Sequence, residues 1–107
     1  MKDLMGLMKQ AQELQKRMQE AQEQLEAEEV TGESGAGLVR VTLSAKGEMK
    51  QIELDPSILV ASEKEVIEDL IMAAHNDAKR KTEEVQARVM KDAAGGMPLP
   101  PGFSFPG

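Results

Sequence analysis

The sequence predicts an α+β fold, with a long helix, a three-stranded antiparallel sheet and a second long helix in that order along 107 residues. Changes of period carry this prediction. Leu4, Ala11, Met18 and Leu25 hold one position of a heptad, and Leu7, Leu14 and Ala21 hold the other, which is the repeat of a helix with an apolar seam. From Leu38 to Ala45 the period falls to two. Val39, Val41, Leu43 and Ala45 share one face, and Leu38, Arg40, Thr42 and Ser44 share the other, as in a strand buried on one side. A helical period then returns through Val66, Ile67, Leu70, Ile71, Ala74, Ala78, Val85 and Val89.

The first helix is predicted from Leu4 to about Glu28 and spans roughly 37 Å. A three-stranded sheet cannot cover that length, so part of its stripe needs another partner. Gly6 weakens its start, and Glu26, Glu28 and Glu29 oppose the macrodipole at its end. No glycine caps it, so the chain is expected to run almost directly into a first strand at Glu29 to Glu33. The second strand follows the glycine-rich segment ending at Gly37. Lys46-Gly47 reads as a two-residue turn with Gly47 at positive φ, and Ile52 and Leu54 mark a third strand. Asp55-Pro56 is expected to cap a short turn through Leu59. Ser62-Glu-Lys-Glu65 reads as a capping box that starts the second helix. Its apolar stripe is dense in the first half and sparse in the second. The first half is therefore placed on the sheet, and the second in solvent or along a partner, with Gly95-Gly96 ending the helix.

One domain is expected over residues 1–94, followed by a Pro/Gly-rich flexible tail at 95–107. A docking segment is the alternative for the tail, because it holds Phe103 and Phe105, the chain's only aromatic residues. The core of so short a chain must be aliphatic, and its 8 Met suit irregular gaps and adaptable interfaces. With no cysteine, disulfides and thiol chemistry are excluded, which fits a reducing cytosol. Lys9, Gln10 and Gln12 interrupt the N-terminal apolar residues, so neither a signal peptide nor a membrane span is expected and the location is read as cytoplasmic.

Gly32, Gly35 and Gly37 have neither dinucleotide-fingerprint nor P-loop spacing, and they lead into a strand. They read as a hairpin with positive-φ positions or a close backbone approach. His75 is the only histidine and has no triad or zinc constellation around it. Glu28-Glu29 and Glu83-Glu84 are adjacent on helices and do not share a face, so they form no acid/base dyad. No enzymatic activity, cofactor, metal or small-molecule substrate is expected.

A net charge of −6 opposes nucleic-acid binding unless local cationic patches outweigh it. Lys2, Lys9 and Lys16 recur every seven residues opposite the apolar seam, with Arg17 beside them. The second helix begins with Glu63, Glu65, Glu68 and Asp69 and continues with Lys79, Arg80, Lys81, Arg88 and Lys91. One reading is solvated charge placed to complement the macrodipole. The other is a pair of cationic arms contacting DNA. No aromatic residues interleave with these cations for base stacking, and no helix-turn-helix or zinc finger is present. Contacts would therefore be to duplex phosphates, with little base readout.

The strings VTGESGAGLV (30–39), IELDPS (52–57) and LPPGF (99–103), in the setting of two long helices, resemble the YbaB/EbfC family of bacterial nucleoid-associated proteins. The resemblance covers nearly the whole chain. It implies a tweezers-like homodimer that binds double-stranded DNA, alters its conformation, and influences nucleoid organisation and gene expression in the cytoplasm. No residue-level contact motif comes with it, so the DNA-contact candidates rest on charge placement alone. Self-association also follows from the residues, because both helical stripes outrun the sheet and a lone small sheet has open edges. The alternative is a dimeric protein-protein adaptor that uses the exposed stripe and tail without contacting DNA.

Overall fold

The computed structural model describes residues 2–95, Lys2 by its backbone alone; the tail expectation, from residue 96 onward, lies outside them. Helix α1 spans Lys2–Ala27, and Glu28 alone separates it from strand β1, Glu29–Ser34. Strands β2 (Val39–Ser44) and β3 (Met49–Leu54) complete an antiparallel meander in the order β1-β2-β3. Helix α2, Lys64–Ala94, closes the chain. The helix, three-stranded sheet, helix architecture is the predicted one.

The alternation in β2 sorts its residues as expected except at Ser44, which belongs to the polar face and is nevertheless buried, its hydroxyl accepting from Glu48 N–H. Val39, Val41, Leu43 and Ala45 are all 1% exposed or less. The glycine-rich segment combines both of its expected roles. Gly35, Ala36 and Gly37 all take positive φ in a tight reversal between β1 and β2. At Gly32, by contrast, a Cβ would fall 2.2 Å from the Ala74 carbonyl oxygen and 2.3 Å from the Ala78 nitrogen. Backbone therefore lies directly on backbone where β1 crosses α2.

Three local expectations are corrected. The β2–β3 connection is a three-residue loop, not a two-residue turn. Ser44 and Glu48 close it through a 2.8 Å bond from Gly47 N–H to the Ser44 carbonyl and a 2.7 Å bond from Ser44 N–H to the Glu48 carbonyl. Gly47, at φ 99°, supplies the positive-φ residue such a loop needs, and Lys50 is left over as a bulge between Thr42 and Leu43. The capping box at Ser62 does not form. The chain enters α2 through a 3-10 turn at Ala61–Glu63, and no side chain caps the helix. Asp55 does cap the preceding turn, accepting 2.8 Å from Ser57 N–H.

The third correction concerns the second half of α2, which was expected in solvent or along a partner and packs within its own chain. It pairs with the second half of α1 in the same chain. Two small cores result: Val39, Val41 and Leu43 pack with Ala74 and Ala78, while Ala21 and Leu25 pack with Ala45 and Val89. Ala45 joins the two. Its N–H donates to the Glu28 carbonyl at 2.8 Å, and its carbonyl accepts from Gln86 at 2.7 Å. The N-terminal half of α1 has no such cover, and Leu4, Met5, Leu7 and Met8 are 57% to 77% exposed. The result is a rod of 73 × 24 × 17 Å with a radius of gyration of 19.4 Å, where a compact 100-residue domain has about 13 Å.

Candidate nucleic-acid interface

The structure divides the basic residues according to their electrostatic surroundings. Arg17, Arg80, Lys81 and Arg88 each have a carboxylate within ion-pair distance, as do Arg40, Lys46, Lys50 and Lys64. Lys9, Lys16, Lys79 and Lys91 are exposed and have none among the described residues. The side chain of Lys2 lies outside the described residues.

Several paired cations serve the fold. Arg88 binds Glu28 across sixty residues of sequence and pins α2 to the junction of α1 and β1. Lys81 donates 2.8 Å to the Thr31 carbonyl, and Asp77 accepts 3.0 Å from Glu33 N–H. These two side chains satisfy outward backbone groups of edge strand β1. The Asp77 carboxyl is held down to about 2, chiefly by the Glu33 N–H and next by the Arg80 guanidinium at 2.8 Å, with Lys81 adding to both. Arg80 is raised in turn by Asp77 and, more weakly, by Glu84 at 3.1 Å. Arg17 pairs with Glu13 one turn back on α1 and lies against Gly95, where α2 ends.

The unpaired lysines occupy both arms of the rod. Lys9 sits on the projecting half of α1, and Lys16 follows one heptad later, about 10.5 Å along the axis. Lys91 lies in the last turn of α2, the end that Arg17 meets. Lys79 stands apart from Arg80 and Lys81: it faces the β2–β3 loop, while they serve the β1 side. Sequence spacing alone had placed all three in one patch.

Strand β3 differs from β1 at its edge. Among the described residues no side chain bonds its outward backbone groups. Met49 and Ile52 on β3, and Leu59 and Val60 in the segment after it, are 43% to 56% exposed. No described helix is long and apolar enough to cross a membrane. Among the described residues no cluster of three or more His, Cys, Asp or Glu is placed to hold a metal.

Comparison with known proteins agrees with this architecture. The sequence model of the YbaB/EbfC DNA-binding family matches residues 1–97. A nucleoid-associated protein of Maricaulis maris (strain MCS10) is 61% identical over 106 residues, covering 99% of each chain. A nucleoid-associated protein of Brucella ovis is 48% identical over 106 residues, with the same coverage. The crystal structure of an uncharacterised Helicobacter pylori protein superposes with a TM-score of 0.67 at 27% identity, covering 83% of this chain and 90% of that one.

Proposed function

The chain belongs to the YbaB/EbfC DNA-binding family, and from that membership we propose that it binds duplex DNA as a homodimer, mainly through phosphate contacts. The observation that carries the proposal is the set of exposed lysines without carboxylate partners, Lys9, Lys16, Lys79 and Lys91, local cations on a chain of net charge −6. These lysines are free to take phosphate oxygens without breaking any contact. Arg17 is the next reserve: its ion pair with Glu13 is exposed and contributes about 0–1 kcal/mol, whereas Arg80 and Arg88 are engaged in the pairs that serve the fold. The domain is residues 1–94, and the protein acts in the nucleoid, altering DNA conformation without catalysis, cofactor or membrane.

Dimerisation supplies what one copy lacks. The open edge of β3 and the exposed Met49, Ile52, Leu59 and Val60 beside it offer a self-complementary surface, and pairing there doubles every cationic arm at a fixed separation. Two labelled duplexes of equal length and unrelated sequence are expected to bind with similar affinity. Light scattering on the same sample should give the mass of a dimer, and Ile52→Glu should give a monomer with weakened DNA binding. A strong preference for one sequence, or an Ile52→Glu protein that remains dimeric, contradicts this reading. One observation favours a second reading, as a protein-protein adaptor: the cluster of Leu4, Met5, Leu7 and Met8 on the projecting half of α1 is an apolar surface large enough to take a partner.

A further inference from the structure

Lys79 opens a site that the two-arm picture does not include. Between α2 and the β2–β3 loop lies a cleft of about 230 Å³ lined by Lys46, Gly47, His75, Lys79, Glu83 and Gln86. His75 and Lys79 are four residues apart on α2 and share its face. Neither has a hydrogen-bond or ion-pair partner among the described residues, and His75 is half-buried. The rest of the α2 wall is held in place. Gln86 is locked to the Ala45 carbonyl at 2.7 Å, and the Thr82 hydroxyl is taken by the Lys79 carbonyl at 2.6 Å. Gly47 leaves the mouth open, with nothing within 4 Å of where its Cβ would be.

We propose that this cleft is a backbone-phosphate site for duplex DNA, in which His75 and Lys79 grip one phosphodiester and protonation of His75 tightens the grip. The inference rests on the proposed DNA-binding reading. A phosphodiester is the matching ligand, since it carries one negative charge and oxygens that accept from both an ammonium and an imidazolium. The charged groups facing His75 are Lys79 and Glu83 on its own helix and Lys46 on the loop, with Glu26 of α1 paired to Lys46 at 3.1 Å. With Glu26, which neutralises Lys46, the two lysines and two glutamates around the cleft sum to a formal charge of 0 when His75 is neutral and +1 when it is protonated. An imidazole donates to a phosphate oxygen as a neutral ring and, once protonated, adds a positive charge to the cleft.

The test is fluorescence anisotropy of a labelled duplex at fixed ionic strength from pH 8 to pH 5.5, with the wild-type protein and His75→Gln. Wild-type affinity is expected to rise about fivefold on acidification, the upper range for one exposed charge contact. His75→Gln should lose the rise, which separates His75 from the carboxylates that titrate over the same interval. Because His75 is the only histidine, its ring proton gives a single NMR resonance in the unmodified protein. Its titration midpoint must move upward when duplex is added, and this check does not depend on how the variant folds. Duplex binding with an unmoved midpoint, or an undiminished rise in His75→Gln, overturns the cleft assignment and leaves the DNA-binding reading standing. No wild-type binding at any pH overturns both.

Discussion

Gly32 is the residue at which the sheet and α2 meet most closely, and its lack of a side chain is a packing requirement. With the Ala74 carbonyl oxygen 2.2 Å from a would-be Cβ, Gly32→Ala must push α2 off β1. The expected cost is about 1–3 kcal/mol, as for other overpacked sites, read as a lower urea midpoint with an unchanged slope. Asp77 makes a different kind of prediction. Its carboxyl falls from 3.8 to about 2 because the Glu33 N–H and the Arg80 and Lys81 cations favour the charged form. Its contribution to stability is thus fully present above the unfolded value and is lost as pH falls from about 4 toward 2. Urea midpoints measured across that interval should fall more steeply for the wild type than for Asp77→Asn, which should be less stable at neutral pH. The close approach at Gly32 was readable as one of two roles for the glycine string. The Asp77 network was not readable, because it joins residues forty-four positions apart.

At the scale of elements, the sequence states periods and faces but not which face meets which. The strand alternation of β2 is legible because each face has its own environment, buried or wet, and the composition follows it. The heptad of α1 was equally legible. That its second half covers the second half of α2 was not, since an apolar stripe on a helix fits a sheet, another helix or a second chain alike. The capping box failed for a related reason. Ser62 and Glu65 have the right spacing, but the chain arrives through a 3-10 turn that leaves the Ser62 side chain no helix N–H to cap. Ser62→Ala is therefore expected to change stability by less than about 0.5 kcal/mol, where loss of a working cap costs about 1 kcal/mol. A thermal melt of the two proteins decides between them.

The whole molecule is a rod of net charge −6, and its capacity for an anionic partner rests on the cations that have no carboxylate beside them. Which cations those are could not be read from charge placement, because pairs such as Arg88 with Glu28 form only when the fold brings distant residues together. The cations that the proposed reading places first are Lys9, Lys16, Lys79 and Lys91, spread over both helices and without a carboxylate partner among the described residues. The most direct test is the salt dependence of duplex binding for the wild type and for a variant with all four changed to Gln. Lys64→Gln, which breaks only the surface pair with Glu68, serves as the control. The wild type should show a steep log-log slope, the control should match it, and the variant's slope should be shallower by about 0.9 for every lysine that meets a phosphate. An unchanged slope in the variant, or wild-type binding that does not respond to salt, would contradict the claim that these lysines bind DNA through its phosphates.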